Sequence, residues 1–336
     1  MMRPCLAFAM APERTRYVFT PPLIERLATI CQILDPEPLV EFSSTHARRL
    51  LERADILVTG WGCATITREV VDSAPRLRLI AHAAGSVKAF LSDDVYRAGI
   101  TVTHAADANA IPVAEFTLAA ILFSNKQVFA FRDLYRTDPS RASSYTLMNH
   151  PIGNFRRTIG LVGASAVGRK VIELLAPFDF ETLLCDPYVT ASDPLTRSVE
   201  LVALDDLLRR SDVVSLHAPS LPSTRRMIRR RELMLMRDGA TFINTARGAL
   251  VDEDDLLAEL ETGRISAVID VTNPEIPAPS SRFHQLPNLF LTPHIAGAVG
   301  TERSRLGGLI TDEIERFVAG EPLRFAIEPA ALERLA

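Results

Sequence analysis

The sequence predicts an α/β chain of two doubly wound parallel-sheet domains, and three observations predict it. Short apolar runs alternate with longer amphipathic ones along most of the 336 residues. Those runs lack the strict in–out alternation of half-exposed strands, as expected where helices cover both faces of a parallel sheet. One strand–turn–helix–strand unit closed by an acid then lies between two long helical stretches, residues 113–136 and 299–319.

In order, the predicted strands are DILVT (55–59), LRLIAHAA (77–84), ITVTHA (100–105), TIGLVG (158–163) and TLLCD (182–186), followed by DVVSLHA (212–218), ATFINTA (240–246), ISAVIDV (265–271) and LFLTPH (289–294). Helical patterns fall between them, as in VGRKVIELLAPF (167–178) and DEDDLLAELETG (252–263), the latter closing at Gly263. Because the two long helical stretches enclose one complete nucleotide-binding pattern, the outer domain is expected to be discontinuous. It takes residues 1–110 with 298–336, around an inserted domain of residues 111–297. Residues 137–157 are polar and turn-rich and read as a surface connection.

Composition narrows the function classes. With 47% hydrophobic and 23% charged residues, the chain can bury two ordinary cores. A net charge of −4 and a pI near 6.0 argue against a nucleic-acid partner. The arginines Arg225, Arg226, Arg229, Arg230 and Arg231 read as a solvated helix face. Cys5, Cys31, Cys63 and Cys185 show neither a CxxC pair nor zinc-ligand spacing, so free thiols in a reducing compartment and no metal are expected. The apolar N-terminal stretch is interrupted by Pro4 and Pro12 and is too short for a signal-peptide core. No run reaches the ~18 apolar residues of a membrane helix. The expectation is a cytoplasmic protein with no membrane partner.

The middle unit carries the cofactor argument. In GLVGASAVGRKVIELLAPFDFETLLCDPY, the spacing Gly163-x-Ser165-x-x-Gly168 sits between a strand and a helix. The first glycine permits the tight turn, and the last lets the helix pack on the strand. Ala166 and Val167 then open a helix whose backbone N–H groups and partial positive charge suit a pyrophosphate. Asp186, ending the next strand, is placed to accept hydrogen bonds from ribose hydroxyls and to repel a 2′-phosphate, so NAD is expected rather than NADP. Ser165 replaces the middle glycine: its Cβ could crowd the pyrophosphate, or its hydroxyl could bond to it.

Three later segments, in order, resemble the D-isomer-specific 2-hydroxyacid dehydrogenases. They are DGATFINTARGALVDEDDLLAEL (238–260), AVIDVTNPEIP (267–277) and PNLFLTPHIAGAV (287–299). SLHAPSLPSTRRMI (215–228) and the stretch 77–119 are similar to further family segments. The resemblance covers about residues 50–325. It implies a Rossmann NAD-binding domain inserted into a flavodoxin-like substrate domain, a homodimer formed through the inserted domain, and a catalytic set of Arg247, Glu275 and His294. It also adds cofactor contacts at His217, Ala218, Pro219, Thr245, Ala246 and Asp270. Ala84, Gly85, Ser86 and Val87 would grip the substrate carboxylate through backbone N–H groups, and Asn109 and Glu115 would fix the hinge. One departure from the pattern is Glu275-Ile276-Pro277, where the family usually has Glu-Pro.

The chemistry asks for these residue types. Reduction of a 2-keto acid needs a hydride at carbon and a proton at oxygen. Imidazole titrates near neutrality, which suits His294 to the proton. Glu275 would hold the ring and favour its protonated form. Arg247 offers a planar fork of donors to carboxylate and carbonyl oxygens, which lysine cannot replace. The implied function is reversible NADH-dependent reduction of a 2-keto acid to a D-2-hydroxy acid, in a cleft between the domains. The alternative from another class is a non-catalytic NAD(H)-binding sensor of corepressor type, motivated by Ser165 and the altered loop after Glu275. Phosphoglycerate is disfavoured as a substrate because no extra basic pocket is evident and no regulatory domain follows Ala336. His82, His104 and His217 read as packing or pocket-lining residues. Trp61, the single tryptophan, closes over substrate or belongs to the core.

Overall fold

Leucine-, isoleucine- and valine-rich runs form two all-parallel sheets in a computed structural model that describes residues 3–88 and 90–328. The chain divides into two units, Met1–Asn109 with Ala298–Ala336, and Ala110–Gly297.

In the first unit, β1 (Cys5–Ala9), β2 (Gln32–Ile33), β3 (Ile56–Thr59), β4 (Leu79–His82) and β5 (Thr101–His104) stand in the order β2-β1-β3-β4-β5. Side chains alternate across this sheet. Leu6, Phe8, Ile56, Val58, Leu79 and Ala81 pack under Leu306, Ile310 and Ile314 of the helix Arg303–Ala319. Ala7, Ala9, Leu57, Ile80 and Val102 pack into a core on the other side. The N-terminal apolar stretch is therefore an interior strand. The terminal helix follows a short 3-10 turn, Gly300–Glu302, and closes at Gly320 in the left-handed conformation.

In the second unit, β6 (Thr158–Val162), β7 (Glu181–Cys185), β8 (Glu200–Leu201), β9 (Val213–Leu216), β10 (Thr241–Asn244), β11 (Ser266–Ile269) and β12 (Leu289–Leu291) stand in the order β12-β11-β10-β9-β6-β7-β8. Read from β6 outward this is the dinucleotide-binding strand order with one added strand, and the first sheet has the flavodoxin-like order. The expected α/β class with two doubly wound sheets is what the chain adopts.

Four expectations need correction. Residues 113–136 are not one helix but the end of Ala106–Asn125 and most of Val128–Thr137. The break is Gln127, whose φ of 50° cannot continue a right-handed helix. The stretch 137–157 contains a helix, Arg141–Met148, whose first turn is capped by the Ser140 hydroxyl accepting the Ser143 N–H at 3.3 Å. The arginine run is not one helix face. Only Arg230 and Arg231 lie in the helix Arg230–Leu235, while Arg226 takes a left-handed turn beside Asp252. Lastly, Ala106–Asn125 is long and apolar enough to cross a membrane, although 44% of its apolar window is buried within the protein. Two of its polar residues, Asp107 and Asn109, break the continuity of its apolar run.

Candidate active site

Every loop expected to contact the cofactor leaves the second sheet at its C-terminal edge. Val162 is paired with Leu216, Leu216 with Asn244, and Asn244 with Ile269, so the strands end level. Strand order reverses between β6 and β9, and ligands of open α/β sheets bind outside such a switch point.

The turn after β6 is built for close approach. Gly163 has a φ of 102°, and a Cβ there would lie 2.7 Å from the Ala218 nitrogen. A Cβ on Gly168 would lie 2.1 Å from the Gly163 carbonyl oxygen. Ala166 and Val167 are the first residues of the helix Ala166–Leu175. Ser165 is its N-cap, and its hydroxyl accepts the Gly168 N–H at 3.4 Å. Of the two possibilities left open at Ser165, the hydroxyl thus already serves the helix end. The Asp186 carboxylate accepts the N–H groups of Ala164 at 2.7 Å and Tyr188 at 2.8 Å, which fixes it at the end of β7.

His217, Ala218 and Pro219 follow β9 and face this turn. His217 is buried, and burial lowers its pKa to about 4, so the ring is neutral at physiological pH. Its Nε2 pairs with the Ser215 hydroxyl at 2.9 Å, while its Nδ1 has no hydrogen-bond partner among the described residues. A buried polar atom left unpaired is costly, and a bound group can satisfy it. Thr245 pairs with the Thr117 hydroxyl at 3.1 Å. The cradle that a Cβ would fill, the helix N-terminus and the orphaned Nδ1 all fit a dinucleotide.

The proposed catalytic residues come from the loops after β10, β11 and β12. Arg247 is held by Asn244, a buried residue whose amide donates to the Arg247 carbonyl at 3.0 Å and whose Oδ1 accepts the Ala246 N–H at 3.0 Å. Gly248 lets this loop touch the next one, since a Cβ there would lie 2.2 Å from the Thr272 carbonyl carbon. The Thr272 hydroxyl donates to the Pro274 carbonyl at 2.8 Å and the Glu275 carbonyl at 3.0 Å, so it shapes the loop that carries Glu275. The Asn273 N–H donates to the Glu253 carboxylate at 2.6 Å.

Glu275 and His294 meet directly, with the Glu275 carboxylate on His294 Nδ1. His294 has a φ of 54°, a conformation that costs a non-glycine residue about 1–3 kcal/mol. Asp270 enforces it. This buried carboxylate accepts the Thr292 hydroxyl at 2.6 Å and the N–H groups of Ile295 and Ala296 at 2.8 and 2.9 Å. The Asp270 carbonyl also accepts the His294 N–H at 2.8 Å. Desolvation lowers the Arg247 pKa from its ordinary value, and attraction to the nearby Glu275 works against that. Arg247, Glu275 and His294 therefore share one electrostatic site.

Sequence reasoning missed Asn244, Gly248, Thr272 and Glu253, which orient these side chains. The available signal was an Asn at a strand end two residues before a polar turn, a pattern that fits a side chain bonding its own loop. In the first unit, the carbonyl of Ala84 accepts the Ala105 N–H at 3.0 Å. Gly85 and Ser86 continue that turn, and Val87 is buried. Asn109 Oδ1 accepts the Ala298 N–H at 3.0 Å, tying the points where the chain leaves and re-enters this unit.

Residues 118–296 match the family model described as D-isomer specific 2-hydroxyacid dehydrogenase, NAD binding domain. The chain belongs to the D-isomer-specific 2-hydroxyacid dehydrogenase family. It is 30% identical over 258 residues to D-3-phosphoglycerate dehydrogenase of Mycobacterium bovis, covering 76% of this chain and 48% of that one. It thus spans about half the length of the curated phosphoglycerate dehydrogenases it matches. With hydroxypyruvate reductase of Thermotoga maritima it is 27% identical over 291 residues, covering 84% and 92% of the two chains. Among solved structures, a phosphoglycerate oxidoreductase from Rhizobium etli superposes with a TM-score of 0.83 at 21% identity, over 98% of this chain and 100% of that one, which supports the fold.

Proposed function

We propose that this family member reduces a 2-keto acid reversibly to a D-2-hydroxy acid. The observation that carries the reading is the Glu275–His294 pair, with His294 held in a left-handed turn by Asp270. Because Glu275 occupies Nδ1, Nε2 is the atom that holds or delivers the proton of the carbonyl oxygen. Arg247, beside Glu275, binds carboxylate and carbonyl oxygens with its planar fork. Gly163, Ser165, Ala166, Val167, Gly168, Asp186 and His217–Pro219 hold NAD(H), which supplies the hydride when bound. Thr245, Ala246 and Asp270 complete the nicotinamide side. Ala84, Gly85, Ser86 and Val87 bind the substrate carboxylate through backbone N–H groups.

The test is NADH oxidation, followed by absorbance, across a panel running from glyoxylate and pyruvate through hydroxypyruvate to branched and aromatic keto acids. His294→Ala is expected to lower kcat by about 10²–10⁴. Full activity in that variant would end the proton role. Tight NADH binding with no turnover on any keto acid would favour the sensor reading instead. Oxidation of only the D enantiomer of the matching hydroxy acid is expected.

A cytoplasmic homodimer completes the proposal. The four cysteines are free, which suits a reducing compartment. Phe123, Tyr135, Tyr145, Met148 and Phe155 are exposed along one stretch of the second unit, as an interface would require. Sedimentation showing only monomer at micromolar concentration would remove the dimer.

A further inference from the structure

The first unit carries a cluster that the reading above does not use. Its strand order reverses between β1 and β3, so a ligand crevice is expected outside their C-terminal ends. The loops from these strands meet there, with the Ala11 N–H donating to the Trp61 carbonyl at 2.9 Å. The Arg14 guanidinium lies 6.0 Å from the Trp61 ring centre, and Arg303 lies 5.9 Å from the same ring. Arg303 is also 5.9 Å from the Tyr17 ring.

Two helices create this meeting. A Cβ on Gly307 would lie 2.0 Å from the Val18 carbonyl oxygen, so the helices Pro12–Val18 and Arg303–Ala319 touch at that point. Arg14 and Arg303 each stand one turn before the contact, on the faces that meet. On the second of these helices Arg316 has an acid, Glu321, at 3.1 Å. Arg26 of the helix Pro21–Ile30 grips Glu315 and Asp312 at 2.5–2.6 Å. Among the described residues, Arg14 and Arg303 have no carboxylate partner, and the buried Nε of Arg303 has no hydrogen bond at all. Aromatic rings orient such cations without neutralising them. An anion would do so, and guanidinium is the group that binds carboxylate or phosphate bidentately.

We propose that Arg14, Arg303 and Trp61 form an anion subsite at the β1/β3 switch point, for a second anionic group on the substrate, carboxylate or phosphate. The identity of its occupant as a substrate rests on the keto-acid reading above. Phosphoglycerate is disfavoured by the sequence because no basic pocket is evident in it, and these arginines lie far apart along the chain. The fold brings them together.

Trp61 is the only tryptophan, so its emission reports this subsite without any catalysis. The full chain is titrated with succinate and, separately, inorganic phosphate, at an ionic strength held constant with sodium chloride. A saturable change in emission is expected, weakened at least tenfold in Arg14→Gln and in Arg303→Gln. Saturation by succinate alone assigns a second carboxylate, and by phosphate alone a phosphate ester. A change that never saturates, or that persists undiminished in both variants, overturns the subsite. Arg14 is exposed, so its variant keeps the test open if Arg303→Gln does not fold. A saturable signal in a protein that turns over no keto acid keeps the subsite and removes the reductase reading. Turnover of keto acids without any saturable signal does the reverse.

Discussion

Replacing Arg247 by lysine keeps a positive charge and loses the paired donors of the guanidinium. On the proposed reading, Arg247→Lys lowers kcat/KM for the preferred keto acid by about 10–100-fold, mostly through KM. Steady-state kinetics check this, and an unchanged KM would take Arg247 out of substrate binding. The residue types that suit the chemistry were legible in the sequence because motif spacing carried them. Their supports were not. Nothing in the string says that Asn244 bonds both sides of the Arg247 turn, or that Thr272 bonds the carbonyl of Glu275. Asp270 was read as part of the nicotinamide pocket, and its grip on Thr292, Ile295 and Ala296 emerges only when β11 and β12 lie side by side.

At the scale of elements, the Glu275 loop is held to the helix Glu253–Glu261 by the bond from Asn273 to Glu253. Burial raises the Glu253 pKa to about 7, assisted by Asp254 and Asp252 and opposed by the Asn273 N–H. A carboxyl raised from its ordinary 4.5 contributes stability that is complete below about 4.5 and lost as pH rises through about 7. Glu253→Gln retains an acceptor for the Asn273 N–H and removes the titration. Its Tm should exceed that of the wild type at pH 8 and match it more closely at pH 5. Equal differences at both pH values would show that Glu253 does not titrate in this window. Gly248→Ala should destabilise by about 1–3 kcal/mol in chemical denaturation, since the loops it separates are already in contact. Apart from β1 (Cys5–Ala9), which the flanking Pro4 and Pro12 disguise as a broken apolar stretch, the central strands were legible because buried parallel strands leave dense apolar runs. The two-residue edge strands β2 and β8 were too short to show a period, and the kink at Gln127 depends on one backbone angle.

For the molecule as a whole, each unit buries a neutral histidine. Burial, with His104 nearby, lowers His82 to about 3, and burial lowers His217 to about 4. Folded values depressed below 6.5 mean that stability is complete above about pH 6.5 and lost as pH falls toward those values. Each ring contributes at most about 1.4 kcal/mol per pH unit across that interval. Glu253 opposes His217 in the second unit, so the fall in urea midpoint between pH 7 and pH 4.5 is expected for the first unit, and His82→Gln should flatten it. An unchanged slope in that variant would place the acid sensitivity elsewhere. The helix Arg303–Ala319 has a further consequence, for the order of events during synthesis. Leu306, Ile310 and Ile314 cover the strand face formed by Leu6, Phe8 and Ile56, yet they are translated after the whole second unit. At ribosomal speeds, the roughly 190 residues between Asn109 and Ala298 take about 10–40 s to make. Those strands are thus sheltered only after the contiguous inner unit has been made, and that unit can finish folding while they wait.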